Sequence, residues 1–287
     1  MREIVIISGK GGTGKTCISA AFATLGNDMV VADCDVDAAN LHIVLQPKNY
    51  IDEKFVTGYK AVIDNKICTS CGLCADYCRF GAVEHKNGNF KIRETACDGC
   101  KLCARICPTG AIKLIESNKS KWYIGNYRNG KMVHARLSPG EENSGKLVSI
   151  VRAQAKRIAE EAGLGTILID GPPGIGCPVI SSVTGATDAV IVTEPTRSGF
   201  HDLKRLISML SLHKAKLYVI INKYDLNLMM TDNIAEWCLA QKIPLIGKIA
   251  FDEEIVQALI HCKSICEWQP SSESAIEIKK IWETIKN

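Results

Sequence analysis

Between Cys68 and Cys107 the chain carries two copies of C-x2-C-x2-C-x3-C, made by Cys68, Cys71, Cys74, Cys78 and by Cys97, Cys100, Cys103, Cys107. This is the spacing that wraps paired [4Fe-4S] clusters. The segment lies inside another pattern. Upstream, Gly9–Thr16 reads GKGGTGKT, a phosphate-cradling loop, and the acidic strand that should complete such a site, Ile167–Asp170, arrives only after the cysteines. One phosphate-binding domain is therefore expected to be interrupted by a small metal-binding one.

Apolar, β-rich runs alternate with helix-like stretches on both sides of the interruption. Strands are predicted at Glu3–Ser8, Met29–Asp33, Thr166–Asp170, Ala189–Thr193, Leu217–Asn222 and Leu245–Ile249. Helices are predicted at Lys15–Leu25, Gly145–Ala162, Gly199–Leu210, Asp232–Gln241, Glu253–His261 and Ser274–Ile285. Continuous apolar strands spaced by amphipathic helices imply an α/β fold, a mostly parallel sheet with helices on both faces. The predicted division is 1–58 and 117–287 for the two parts of that domain and 59–116 for an inserted small α+β unit, closed by a strand pair at Ala61–Ile63 and Ala111–Ile115. Lys121–Tyr127 and Lys131–Leu137 flank Asn129-Gly130, a hairpin signal. That hairpin carries Lys119, Lys121, Arg128, Lys131 and Arg136 with no acid between Ser117 and Ser138; it reads as a solvated edge hairpin, or else as a docking surface for an acidic partner.

The loop sits between a strand and a helix, where its mechanics need it. Gly11, Gly12 and Gly14 let backbone N–H groups close around phosphates, and Thr13 and Cys17 complete the nucleotide-binding stretch. Lys15 is expected to reach the β- and γ-phosphates and Thr16 to hold Mg²⁺. With Lys10, the string KGGTGKT resembles the deviant Walker A motif of the MinD, Mrp, ParA and nitrogenase iron protein family. Ala32–Leu41 (ADCDVDAANL) is similar to that family's switch I and Asp170–Gly174 (DGPPG) to its switch II.

The resemblance implies a homodimeric ATPase with ATP or ADP and Mg²⁺ at the subunit interface. Lys10 would touch the partner's nucleotide, Asp35 would orient the attacking water, Asp33 and Asp170 would support Mg²⁺ with Thr16, and Gly171 would lie near the γ-phosphate. Asn222 in INKYD resembles the adenine-reading asparagine, and Ile249–Asp252 sits where the family packs backbone against the base. Asp37 reads as a capping or surface acid.

The cysteine segment is similar to dicluster ferredoxins, in which the fourth cysteine of each run ligates the other cluster. On that likeness Cys68, Cys71, Cys74 and Cys107 would hold one cluster, and Cys97, Cys100, Cys103 and Cys78 the other. Pro108 follows Cys107 as in such proteins, whereas Arg79 follows Cys78. Zinc at two four-cysteine sites is the competing metal. Lys66–Lys113 holds eight basic and four acidic side chains, partly offsetting a charge of about −2 on each oxidised cluster.

Of the remaining cysteines, Cys17 and Cys34 read as small buried residues, and Cys262 with Cys266, at i and i+4, as core or else as metal ligands across a helix turn. Cys177 reads as a buried residue or, by likeness to the nitrogenase iron protein, as a ligand of a cluster bridging two subunits. No charged-then-apolar leader and no apolar run near ~18 residues is found, so a cytoplasmic protein without stable membrane insertion is expected. A net charge of +4 is too slight to imply nucleic acid. Together these readings resemble the MinD/Mrp superfamily with an inserted ferredoxin domain. They imply an ATPase gating electron delivery to a protein partner in redox or metallocofactor maturation, with an iron–sulfur carrier or a redox-sensing regulatory ATPase as alternatives.

Overall fold

The structure, a computed structural model, describes residues 1–56, 58–141 and 144–286. The chain forms two compact units, Met1–Asp52 with Trp122–Ala135 and Ser144–Asn287, and Glu53–Lys121 with Arg136–Asn143. Beyond the span 59–116, the smaller unit thus takes in a few residues at each end and a separate short segment after the hairpin.

The strands are β1 (Arg2–Ser8), β2 (Met29–Asp33), β3 (Lys48–Phe55), β4 (Gly58–Ile63), β5 (Val83–Lys86), β6 (Asn89–Ile92), β7 (Ile112–Ser117), β8 (Ser120–Tyr127), β9 (Gly130–Arg136), β10 (Thr166–Pro173), β11 (Asp188–Thr193), β12 (Lys216–Asn222) and β13 (Leu245–Ile249). The helices are α1 (Lys15–Leu25), α2 (Leu41–Leu45), α3 (Leu73–Asp76), α4 (Leu102–Ile106), α5 (Ser144–Glu161), α6 (Cys177–Val183), α7 (Arg197–Leu210), α8 (Leu228–Ala240), α9 (Glu253–Ile260), α10 (Ile265–Trp268) and α11 (Glu273–Lys286).

One sheet runs in the order β13-β12-β11-β1-β10-β2-β9-β8-β3. Its first seven strands pair in parallel, from Val219 opposite Leu245 to Asp33 opposite His134. Strands buried on both faces read as unbroken apolar runs, and Ile4–Ile7, Val30–Ala32, Ile167–Ile169 and Ala189–Val192 are all buried. Because parallel strands need crossovers, helices separate the core strands along the chain and pack on the sheet, α1 on β1 and β10, α5 on β2 and β10, α6 on β10 and α7 on β11. α1 buries Ile18 and Ala20–Ala23, and α11 buries Ile278, Ile281, Trp282 and Ile285, with the Phe22 and Trp282 rings 5.0 Å apart. The apolar stripe of the last helix is therefore spent on the core. No helix among the described residues is long and apolar enough to cross a membrane.

The basic hairpin is not a free edge. β9 lies parallel to β2 and β8 lies between β9 and β3, with Ile124, Tyr127, Met132, Val133 and Ala135 buried. Arg128 faces inward to its own unit, bonding both carboxylate oxygens of Glu267 at 2.5 and 2.7 Å and the carbonyls of Val44 and Leu45.

In the smaller unit β4 pairs antiparallel with β7, Gly58 opposite Ser117 and Ile63 opposite Ile112. β5 and β6 form a hairpin, Val83 opposite Ile92. α3 and α4, four and five residues long, bury no side chain. Helices this short are not stable by themselves in water, and these two rest on contacts with one another and with β5 and β7.

Candidate functional site

β1 ends at Ser8 and the chain passes through Gly9–Gly14 into α1, whose N-cap is Gly14. Gly14 stands at φ +87°, and a Cβ there would overlap the Asn222 amide, so the loop and the end of β12 approach too closely for any side chain. A cavity of about 330 Å³ runs along the loop, lined by Ser8, Gly11–Cys17, Asp35, Ala38, Asn40 and Pro173. A second, of about 230 Å³, lies on its other side between Gly12, Gly14, Cys17, Asn222, Ile249–Asp252 and Val256. Residues far apart in the sequence thus meet at the carboxyl ends of the parallel strands.

Three acids converge behind the loop. Asp170 is fully buried on β10 and accepts from Thr16 Oγ1 at 2.9 Å, Ser19 Oγ at 2.7 Å and Lys15 Nζ at 3.1 Å. Lys15 Nζ also stands 3.4 Å from Asp35 Oδ2. Asp33 ends β2 and accepts from the backbone N–H groups of Asp35 and Leu41, at 3.2 and 3.3 Å, which ties the start of α2 to the strand end. Burial, then the Asp170 charge, pushes the Asp33 carboxyl well above the usual carboxylate range. Burial also raises Asp35, against the opposing pull of Lys15. Lys15 itself is raised: burial works against its charge, but Asp170 and Asp35 outweigh it. A hydroxyl and a carboxylate oxygen side by side are hard donors of the kind Mg²⁺ takes.

The other expected residues fall as follows. Thr13 Oγ1 is buried without a hydrogen-bond partner. Asn222 Nδ2 donates to the Thr13 carbonyl at 2.8 Å. Cys17 lines both cavities, and burial pushes its thiol up to about 11. Gly171 lies within β10 packed against Ile6 and Ile7 and does not line the cavity, where Pro173 stands instead. Lys10 Nζ lies outside the loop cavity, 2.7 Å from Glu194 Oε1 and 2.9 Å from Ser198 Oγ. Asp37 is exposed. Cys177 is exposed at the start of α6, Cys34 and Cys266 are buried, and Cys262 is partly buried.

Ser19, Glu194 and Lys223 also belong to the site, and Ser19 and Glu194 carry no motif that would reveal them. Lys223 Nζ bonds the Gly12 carbonyl at 3.2 Å and stands 3.6 Å from Glu194. Lys223 lies inside INKYD, directly after Asn222, and that motif is the signal that could have found it.

In the smaller unit the cysteines line two cavities. Cys68, Cys71, Cys74 and Cys107 line one, with Phe90 and Thr109; Cys78, Cys97, Cys100 and Cys103 line the other, to which Cys74 also contributes. Backbone N–H groups donate to sulfur in both copies, from Ala82 to Cys78 at 3.4 Å and from Ala111 to Cys107 at 3.3 Å. Cys107 is held below the usual thiol range: desolvation opposes this, but the Thr109 hydroxyl and nearby N–H groups prevail. Burial raises Cys74 and Cys103. Among the described residues no three His, Cys, Asp or Glu side chains converge as the ligands of a single ion would. A cubane makes a different demand, because each thiolate binds a different corner iron.

The profile of the CobQ/CobB/MinD/ParA nucleotide-binding domain matches residues 4–265. The chain is 35% identical over 289 residues to an uncharacterized protein of Methanocaldococcus jannaschii, covering 99% of this chain and 96% of the relative. It is 24% identical to the septum site-determining protein MinD of Bacillus subtilis, over 97% of this chain and 86% of that one. Among solved structures it is similar in fold to MinD of Pyrococcus horikoshii complexed with Mg-ADP, with a TM-score of 0.60 at 19% identity, covering 100% of this chain and 96% of the other.

Proposed function

This chain belongs to the CobQ/CobB/MinD/ParA family of nucleotide-binding proteins, and from that premise we propose that it is a Mg²⁺-dependent ATPase that gates electron delivery from a two-cluster iron–sulfur module to a partner protein, in redox or metallocofactor maturation. The observation that carries the iron–sulfur half is the sorting of the cysteines. Two interleaved sets of four, each drawing one cysteine from the other run, line two cavities, with Cys74 lining both, which matches the interleaving a dicluster protein uses. The donor set fits on a second count: α3 and α4 bury no side chain fully, so ligation would add cohesion to a lightly packed pair. When bound, the clusters supply reversible one-electron storage.

The nucleotide half rests on the two cavities that meet at the loop. Phosphates fit the glycine-rich side, at the N-terminal end of α1, where Lys15 supplies a cation and the buried Thr13 hydroxyl an unused donor. The base fits the more apolar side, between Asn222 and Ile249–Asp252. Thr16 and Asp170 would hold Mg²⁺, with Asp33 behind them. Asp35 accepts a hydrogen bond from the attacking water, whose oxygen bonds the γ-phosphorus as the bond to the ADP oxygen breaks and whose proton passes to phosphate and solvent. Lys10, turned away from the cavity of its own chain, suits a contact with the nucleotide of a second copy, and hence a homodimer.

Coupling is supported by the order of the chain. α2 follows the Asp33–Asn40 segment, and β3 leads from it directly into β4. Anaerobic reconstitution should give close to eight irons and eight sulfides per chain, and a non-hydrolysable ATP analogue should shift the cluster potentials, reciprocally with nucleotide affinity. Stoichiometric zinc in place of iron would overturn the cluster assignment, and identical potentials and transfer rates in every nucleotide state would overturn the gating.

A further inference from the structure

The small unit is a duplication whose two halves differ in charge. The second cysteine run follows the first by 29 positions, Cys68 to Cys97 and Cys78 to Cys107. The backbone repeats with it: left-handed residues fall at Ser70 and Gly99, at Gly72 and Lys101, and at Gly81 and Gly110. The N–H bonds from Ala82 to Cys78 and from Ala111 to Cys107 repeat as well. Each run is preceded by a strand, β4 before the first and β6 before the second, so position 60 corresponds to position 89.

Lys60 occupies the first of these positions and Asn89 the second. Lys60 is buried, only 6% exposed, and its Nζ donates to the carbonyls of Cys97 and Gly140, both at 2.6 Å. β4 presses on the same loop through Tyr59, whose carbonyl leaves no room for a side chain at Gly99 and whose ring lies 4.3 Å below Lys101 Nζ. Asn89 is exposed and bonds only weakly to Asn87, at 3.5 Å. The position in β6 that matches Lys60 is thus a neutral, exposed amide. Elsewhere Lys101 replaces Gly72, while Arg79 and Asp98, 4.0 Å apart, offset one another.

Resting on the iron–sulfur reading above, we propose that Lys60 is a potential-setting residue, which makes the cluster held by Cys78, Cys97, Cys100 and Cys103 the first of the pair to be reduced. A fixed cation in a low-dielectric setting stabilises the more negative, reduced state and is little screened. The other set is favoured by the N–H of Ser70 on Cys68, at 3.4 Å, and by the Thr109 hydroxyl on Cys107, at 3.7 Å. These are partial charges at long range or in exposed positions, against a full buried one. One electron from a low-potential donor would come to rest on the Lys60 side and leave from there to a one-electron acceptor, with no proton or bond change required.

The test is a dithionite titration of the reconstituted full-length protein, followed by paramagnetic resonance. Wild type should show two one-electron waves. Lys60→Met should lower the upper wave at least tenfold in reduction equilibrium, or 59 mV, and leave the lower wave in place, while Lys60→Arg should restore it. Movement of both waves together, of the lower wave alone, or of neither would overturn the role of Lys60. A second measurement needs no variant. The gap between the wild-type waves should persist from low salt to roughly 1 M, where surface charges are screened within about 3 Å; collapse of the gap would place its origin on the surface and overturn the proposal. A wild-type protein that takes up no pair of clusters would fail the iron–sulfur reading instead, visibly from its iron and sulfide content.

Discussion

Replacing Lys15 by methionine keeps the length of the side chain and removes its charge from between carboxylates. In the structure the ammonium is 6% exposed and lies 3.1 Å from Asp170, 0% exposed, and 3.4 Å from Asp35, 12% exposed. Removing one partner of a buried pair costs about 3–5 kcal/mol, because the other charge is left behind. Here Asp33, Asp35 and Asp170 are all left behind. Asp33 and Asp35 are already raised by burial, and the Lys15 charge is the strongest pull holding each of them down. Without it both should rise further. An acid raised in the folded state contributes its full stability below the unfolded carboxylate range, about pH 4, and loses it as pH climbs through the folded value. The penalty of Lys15→Met must therefore grow with pH. For a unit of this size about 2–4 °C follow each kcal/mol, so the loss in Tm should be on the order of 10 °C at pH 8 and distinctly smaller at pH 5. Thermal unfolding followed by far-ultraviolet circular dichroism, without nucleotide, measures both. An equal loss at the two pH values, or none at pH 8, would refute the buried charge cluster as the cause.

Asp35→Ala should leave ATP affinity within a few-fold and cut turnover by at least about 100-fold, since it removes the partner of the attacking water and no phosphate contact; calorimetry and phosphate release separate the two, and equal loss of both would reassign the residue. Gly14→Ala should abolish nucleotide binding and cost about 1–3 kcal/mol, because φ is +87° and the methyl would meet Asn222; a wild-type melting curve would show that the loop relaxes freely. His134 is stacked on His42 at 5.0 Å, and burial, then the His42 charge, pushes it down to about 4. Its stability contribution is present above the ordinary histidine range and is lost as pH falls from about 6.5 toward 4, so its ring proton shift in magnetic resonance should stay flat from pH 8 to about 5.

The central parallel strands β1, β2, β10 and β11 were legible because each is buried on both faces and reads as one apolar run. β3 was not, since Lys48–Ile51 offers no such run and the strand's place comes from pairing with β8. α8 begins at Leu228, earlier than the predicted Asp232, because the exposed Leu228 and Met229 break the amphipathic pattern that marks a helix. The hairpin was visible from Asn129-Gly130, yet its place inside the sheet was not. A turn signal is local, whereas the pairing of β9 with β2 joins residues some hundred positions apart.

The same division holds at the sites. The available chemistry was already written in the order of residues: a glycine-rich loop with Lys15 and Thr16, acids at two strand ends, and eight cysteines at ligand spacing. These are short-range patterns, dictated by what a tight turn or a ligand run must contain. Which charges meet depends on the folded packing. It set Lys15 among Asp170 and Asp35, turned Lys10 to Glu194, and buried Lys60 against Cys97 but left Asn89 in solvent. Such encounters arise from how strands pair and helices pack, and a buried charge takes its energy from that surrounding rather than from its neighbours along the chain.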